Sequence, residues 1–308
     1  MLFRLTILGS AAALPILNRH TTAQHLRINQ THILIDCGEG TQQQMLKYKI
    51  NALKIDFIFI SHLHGDHYLG LMGLISSMHT MKREKDLYIF APKGLDEIIG
   101  IQMKYSRLHL NFKIHLQEVC NDAPTVIFSQ SHFQVWALPM NHRIECYGYL
   151  FKQISNKRKT KPEYAQLFET MDSNTIKQLL SGKNVLNQLG ELRYDYELLT
   201  QLLPVYSYAY LADTAFSAEI ALFLAAQHVD WLYHEATFLE EDKERAEKTF
   251  HSTAKQAAEI AVLSKVRNLL IGHFSARYTK IQTLQDEAKQ VFENTFLALE
   301  GSQHDINL

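Results

Sequence analysis

Short apolar runs separated by polar or turn-forming residues dominate the first third of the chain, and such runs read as strands. Strands are expected over residues 3–8, 24–28 and 32–36, a short helix over 41–47 and another strand over 56–60. Residues 68–81 (YLGLMGLISSMHTM) are apolar nearly all round, the pattern of a helix buried on every side. A strand at 87–90, a helix at 95–105 and strands at 113–119, 125–128 and 132–138 follow. After the apolar run 147–151 the character changes. Lys152, Lys157, Arg158, Lys159 and Lys161 crowd together, and polar, helix-compatible sequence continues to about Thr200. Residues 152–200 therefore read as an arm inserted into a larger domain spanning 1–308. Beyond it the core pattern resumes, with strands at 206–211, 231–234 and 268–271 and helices at 218–226 and 254–263. The segment after Gly301 is expected to fray. Helices distributed among strands along the whole chain fit a layered α/β architecture.

Composition narrows the classes without choosing one. A chain of 308 residues, 46% of them hydrophobic, can bury a full core. Lys plus Arg (31) nearly balances Asp plus Glu (32), so any polyanion would have to meet a local patch. Cys37, Cys120 and Cys146 are widely spaced and include no C-x-x-C pair. That argues against a disulfide framework or a cysteine zinc knuckle and suits a reducing, cytoplasmic setting. Residues 1–17, with Arg4 and Ala11-Ala12-Ala13, have the outline of a signal peptide. Thr6, Gly9, Ser10 and Pro15 interrupt the apolar run, which favours the first strand instead. No uninterrupted apolar stretch approaches the ~18 residues of a membrane span.

The chemistry concentrates in Ser61-His62-Leu63-His64-Gly65-Asp66-His67, directly after an apolar strand. Packing does not ask for so many coordinating side chains in so short a span, and His with Asp suits zinc-like divalent metals. In a nearly extended chain, residues two apart point the same way, so His62 and His64 can grip one metal. Gly65 lets the chain bend, and Asp66 and His67 can then turn towards a second. Three more coordinating residues follow apolar strands: His142, Asp213 and His273. Each alone has a bland reading, a capped helix start for Asp213 and surface imidazoles for the others. Their repeated placement raises all three, and an aspartate can bridge two metals where a histidine normally cannot. Late in the chain, His234-Glu235-Ala236-Thr237 closes a strand and His251-Ser252-Thr253 opens a helix. Thr253-Ala254-Lys255-Gln256 matches a capping box, which would hold His251 rigidly and leave it free to meet a substrate.

The H-x-H-x-D-H motif with His142, Asp213 and His273 resembles the ligand series of the metallo-β-lactamase superfamily. More narrowly, His142-Arg143-Ile144-Glu145-Cys146-Tyr147-Gly148-Tyr149, Asp213-Thr214 and the two late histidine loops resemble the ribonuclease Z family of tRNA 3′-end endonucleases. Gly272-His273-Phe274-Ser275-Ala276-Arg277-Tyr278 does so too, and the likeness runs from Leu8 to about Tyr278. It implies an αββα four-layer sandwich, two facing mixed β-sheets flanked by helices, with an inserted arm. It also implies two Zn2+ per subunit, a tRNA precursor as substrate and a homodimer whose arm serves the partner's substrate. By the same resemblance His62, His64 and His142 hold one zinc, Asp66, His67 and His273 the other, and Asp213 bridges. Two departures stand out. Of the family's P-x-K-x-R-N segment, only Pro15 and Arg19 are kept, and the arm's Gly-Pro tip is replaced by Thr170-Met171-Asp172-Ser173-Asn174-Thr175.

The expected reaction is removal of the 3′ trailer, leaving a 3′-hydroxyl on the tRNA and a 5′-phosphate on the trailer. Asp66 is the candidate general base. His251 would stabilise the transition state or protonate the leaving oxygen, with Glu235 or His234 orienting it. Lys152, Lys157, Arg158, Lys159 and Lys161 would contact phosphates without reading sequence. One rival is a dizinc phosphodiesterase or other hydrolase of the same fold acting on a small molecule. Another is a non-catalytic RNA-binding scaffold, against which Asp66 and His251 argue.

Overall fold

The computed structural model describes residues 2–307. The chain divides into two compact units, one formed by residues up to 129, 134–152 and 206 onward, the other by 130–133 and 153–205. Chain order begins with β1 (Phe3–Gly9), β2 (Ala23–Ile28), β3 (Thr31–Ile35), α1 (Thr41–Lys47) and β4 (Ile55–Phe59). Next come α2 (Gly65–Tyr68), α3 (Leu71–Thr80), β5 (Leu87–Ala91), α4 (Leu95–Ser106) and β6 (Ile114–Glu118). Then follow β7 (Thr125–Ser129), β8 (Phe133–Pro139) and β9 (Tyr147–Gln153). The second unit supplies β10 (Arg158–Thr160), α5 (Ala165–Glu169), α6 (Ser173–Leu180), β11 (Val185–Leu186), β12 (Leu192–Tyr194), α7 (Tyr196–Leu199) and β13 (Thr200–Leu202). The return brings β14 (Ser207–Leu211), α8 (Ala218–Ala226), β15 (Trp231–Glu235), α9 (Lys243–Thr249), α10 (Ala254–Ser264) and β16 (Asn268–Gly272). Last are α11 (Gln282–Lys289), β17 (Thr295–Leu297) and β18 (Gln303–Asp305).

Two mixed seven-stranded sheets form the larger unit, ordered β18-β1-β2-β3-β4-β5-β6 and β17-β16-β15-β14-β9-β8-β7. Their aromatic faces meet. Phe59 of β4 packs edge-on against Tyr149 and Phe151 of β9, and the Tyr149 hydroxyl donates to the Ile60 carbonyl at 2.7 Å. Outside the first sheet, Leu71, Leu74, Ile75 and Met78 of α3 cover Leu34 and Ile58. Outside the second, Ile220 and Leu224 of α8 join Ala257 and Ala261 of α10 over Ala209, Leu232 and Leu269. The layered α/β expectation holds. Strands β3, β4 and β5 run parallel, as do β14, β15 and β16, so each set delivers its carboxyl ends to one edge. Crevices at such edges are where open α/β sheets bind ligands.

Two sequence expectations need correction. The helix expected over 68–81 is two helices, α2 and α3, separated at Gly70. A Cβ on Gly70 would lie 2.2 Å from the Gly38 carbonyl oxygen, so the chain must pass that loop without a side chain. The tail after Gly301 does not fray. β18 pairs antiparallel with β1, Arg4 bonds Asp305 through Nε at 2.6 Å, and Ile306 is buried. The first strand, favoured over a signal peptide, is present as β1, an interior strand between β18 and β2. Among the described residues no helix is long and apolar enough to cross a membrane.

The second unit has its own small core of Phe168, Leu179, Val185 and Leu199. The stretch read as merely helix-compatible holds three short helices, a β11–β12 hairpin and the antiparallel β10–β13 pair. Asp172 caps α6 by accepting from Asn174 N and Thr175 N, which starts that helix without a glycine or proline.

Candidate metal centre

Strand ends build the centre. β4 stops at Phe59, and the chain stays extended to His64, whose φ of −73° and ψ of 145° precede the one-turn helix α2. His62 and His64 thus lie on extended backbone, while Asp66 and His67 sit on the helical turn. His142 follows β8, Asp213 follows β14, and His273 follows β16 with a left-handed φ of 57°. Parallel pairing of β14, β15 and β16 sets Asp213, Glu235 and His273 at neighbouring strand ends.

Two principal groups of donor atoms result, and Asp213, His251 and His273 form a third that overlaps both. His62, His64, His142 and Asp213 each bring one within 4.8 Å of the others, and so do Asp66, His67 and His273. Asp213 faces both. Its Oδ2 lies 3.6 Å from His62 Nε2 and 4.0 Å from His142 Nε2. Its Oδ1 lies 3.2 Å from His273 Nε2 and 3.5 Å from His67 Nε2. This Oδ1 is buried yet accepts no hydrogen bond from the described residues, an orphan that a cation would satisfy. Imidazole nitrogens converge in the same way: His62 Nε2 and His142 Nε2 lie 3.0 and 3.2 Å from His64 Nδ1, and the Nε2 atoms of His67 and His273 are 3.4 Å apart.

Outer partners fix these rings. His67 Nδ1 donates to Asp36 Oδ2 at 2.8 Å, His142 Nδ1 to the Phe250 carbonyl at 3.1 Å, and His273 Nδ1 meets Thr237 Oγ1 at 2.9 Å. Ser61 Oγ lies 3.0 Å from His62 Nδ1. Each contact occupies one ring nitrogen and turns the other inward, as metal-binding histidines require. The residues present therefore fit a binuclear metal site.

Electrostatics divide the two groups. Burial lowers the pKa of His62, His64 and His142, which favours neutral imidazoles with free lone pairs. Burial opposes charge on His67 as well, but Asp66, Asp213 and Asp36 outweigh it and push that pKa well up. Asp213 and Asp66 are held well below the ordinary carboxylate range although burial works to raise them. The fields of His273 and His67 account for Asp213, and His67 with a bond from His273 for Asp66.

A second constellation adjoins the first. Glu235 is fully buried and accepts from Thr214 N at 3.2 Å, Ser252 N at 3.0 Å, Thr237 N at 3.0 Å and Thr237 Oγ1 at 2.7 Å. Its Oε1 also takes the His251 Nδ1 hydrogen at 2.9 Å. Burial lowers the His251 pKa, but Glu235 and Asp213 more than reverse that and raise it to about 9. The capping box at Thr253 and Gln256 is present, as the sequence predicts. His234 instead bonds its own neighbour's carbonyl, the Glu235 oxygen, at 2.6 Å. Glu235 rather than His234 orients His251, because adjacent strand residues face opposite ways.

The centre opens into a cleft of about 590 Å³ lined by His64, Asp66, Asp213, His251 and His273 together with Arg143 and Arg245. Ala13, with a left-handed φ of 61°, donates its amide hydrogen to Asp66 Oδ2 at 2.7 Å. All seven expected ligands, with His251 and Glu235, are brought together. The basic cluster is not one surface. Lys152 lies on β9 and donates to the Gln227 carbonyl at 3.1 Å. In the second unit, Arg158 bonds Thr200 at 2.7 Å and stacks on Tyr196, and Lys161 donates to the Glu197 carbonyl at 3.0 Å. Lys157 and Lys159 are exposed. Sequence reasoning missed Asp36, Ser61, Thr237 and the Ala13 amide as supports, and Arg143 and Arg245 as cleft residues. Asp36 carried a usable signal, since it too follows an apolar strand, Ile33-Leu34-Ile35.

Known proteins share this arrangement of chain. A family model described as anti-Pycsar protein Apyc1 matches residues 3–161. The protein named ribonuclease Z from Cytophaga hutchinsonii is 42% identical over 301 residues, 97% of this chain and 95% of that protein. Among solved structures, the short form of human tRNase Z has a TM-score of 0.71 at 25% identity, covering 99% of this chain and 100% of its own. A metallo-β-lactamase fold protein from Bacillus subtilis reaches 0.68 at 17% identity, covering 99% of each chain. The chain has the metallo-β-lactamase fold and belongs to the ribonuclease Z family and, through residues 3–161, to that described as anti-Pycsar protein Apyc1.

Proposed function

We propose that this chain is a metal-dependent endoribonuclease that removes the 3′ trailer from tRNA precursors. Asp213 carries the reading. One carboxylate turns an oxygen to each of two imidazole groups, at the floor of an open cleft, in a full-length relative of ribonuclease Z. In this assignment His62, His64 and His142 hold one zinc, Asp66, His67 and His273 hold another, and Asp213 is shared. Bound there, two such ions would supply hydroxide at neutral pH and neutralise charge on the phosphoryl oxygens.

The chain's own residues do the rest. Asp66 is held through Oδ2 by Ala13, which leaves its other oxygen to take the nucleophile's proton. Oxygen attacks phosphorus as the bond from phosphorus to the 3′-oxygen breaks, so the tRNA keeps a 3′-hydroxyl and the trailer a 5′-phosphate. His251, with Nδ1 fixed on Glu235, presents its other nitrogen to the cleft and gives its proton to the leaving 3′-oxygen. Arg143 and Arg245 offer charge to the neighbouring phosphates. Cleavage of a 3′-extended precursor by the zinc-loaded protein tests the reading. Turnover of a small phosphodiester without precursor cleavage would favour the small-molecule alternative.

His251→Ala is expected to lower kcat by roughly 10²–10³-fold while zinc content stays at the wild-type level. Since the raised pKa keeps the acid form present below about 9, wild-type kcat should fall as pH rises through about 9, and the variant should lack that limb. Loss of zinc from the variant would instead make His251 a ligand or a fold residue.

The second unit is assigned to substrate holding, with Lys157 and Lys159 as its phosphate contacts. Neutralising that pair should reduce the slope of log affinity against log salt by about 1–2. An unchanged slope removes both lysines from the interface. The reading also makes the working form a cytoplasmic homodimer in which an arm of one subunit serves the other's substrate.

A further inference from the structure

Three donors crowd one oxygen of Asp36. Its Oδ2 accepts from Tyr210 Oη at 2.5 Å, His67 Nδ1 at 2.8 Å and Ser61 Oγ at 2.9 Å. Oδ1 takes the Ser61 amide at 2.7 Å. Asp36, His67 and Tyr210 are all essentially removed from solvent. Tyr210 comes from β14 of the opposite sheet, so its hydroxyl crosses the sandwich to reach the carboxylate. Burial and the Asp36 charge both push its pKa well up, so the phenol keeps its proton and acts as a donor.

Ser61 already holds Asp36 by two bonds, and the carboxylate does not need Tyr210 for its place. What Tyr210 changes is charge. A hydrogen bond to an anionic oxygen draws electron density from the other acceptor contacts of that oxygen. The Asp36–His67 bond is therefore weaker than it would be alone, and His67 Nε2 is a poorer electron donor. Outer carboxylates act on a metal through the basicity of the histidine they hold.

We propose that Tyr210 acts on the metal centre through Asp36 and His67, lowering the affinity of the Asp66–His67–His273 group for its metal. It is a positioning residue in this sense and never touches substrate. The inference rests on the reading of His67 as a ligand. Its function would be to leave that metal more electron-poor, hence a stronger Lewis acid, at some loss of affinity.

The structure contains a matched control. Tyr208 lies two residues earlier on the same strand, is equally buried, and sends its hydroxyl across the sandwich to Gln24, away from the ligands. Metal-free wild-type protein, Tyr210→Phe and Tyr208→Phe would be titrated with zinc against a chelating competitor. His273→Ala identifies which constant belongs to the second group. Tyr210→Phe should bind zinc about three- to tenfold more tightly at that group, with the other constant unchanged. Tyr208→Phe should match wild type at both. Fluorotyrosine at 210, a more acidic donor, should shift the same constant towards weaker binding. Unchanged or weaker binding in Tyr210→Phe, or an equal gain in Tyr208→Phe, overturns the inference while the site assignment stands. Failure of the wild-type protein to bind zinc at all overturns both.

Discussion

An Asp213→Ala variant is expected to lose metal from both halves of the centre and to cleave at least about 10⁴-fold more slowly than wild type. The size of the effect follows from position. Oδ2 stands 3.6 Å from His62 and Oδ1 3.2 Å from His273, so one truncation strips a negative ligand from each group. The first group would retain three neutral imidazoles, the second one carboxylate and two imidazoles. Affinity at each should fall by about 100-fold, the upper end of what perturbing a ligand's support costs and a minimum for removing the ligand itself. Metal analysis after gel filtration, alongside turnover, checks this. Retention of two metals per chain would show that Asp213 is no bridge.

Asp66→Ala should be nearly as damaging to turnover, by about 10⁴-fold, yet leave RNA bound almost as well. The substitution leaves in place Arg143 and Arg245, the cleft residues offered to phosphate, so binding has its cations without Asp66. The variant keeps His62, His64, His142 and Asp213, so the first metal should remain while the second weakens. It also leaves the Ala13 amide without its partner, which loosens the loop at residues 11–20 over the cleft. Filter binding and single-turnover cleavage on the same precursor separate the two effects. Cleavage above about one per cent of wild type would count against Asp66 as the base. A fall in RNA binding comparable to the fall in rate would make it a substrate contact.

Much of this centre was legible because strands deliver side chains to one edge. An apolar run followed at once by His or Asp marks such an end, and that pattern alone picked out His142, Asp213 and His273. The H-x-H spacing was readable for the same reason, since the chain remains extended through His64. Asp36 fits the same pattern, but it also reads as the last residue of its own strand. Its partner Tyr210 gives no local sign, because the hydrogen bond joins residues 174 positions apart across two sheets. The break at Gly70 depends on the loop at Gly38, again a long-range contact. β18 was missed for a related reason: three polar residues, Gln303-His304-Asp305, become a strand only because β1 offers its free edge. In the second unit, which cations bond to their own backbone could not be read from their spacing.

The most direct measurement is to incubate the zinc-loaded protein with a 3′-extended tRNA precursor and map both new ends. A single internal cut near the acceptor end is expected, lost on chelation, with a 3′-hydroxyl on the tRNA and a 5′-phosphate on the trailer. A cut leaving a 2′,3′-cyclic phosphate, or no cut by a protein that still hydrolyses a small phosphodiester, would contradict it.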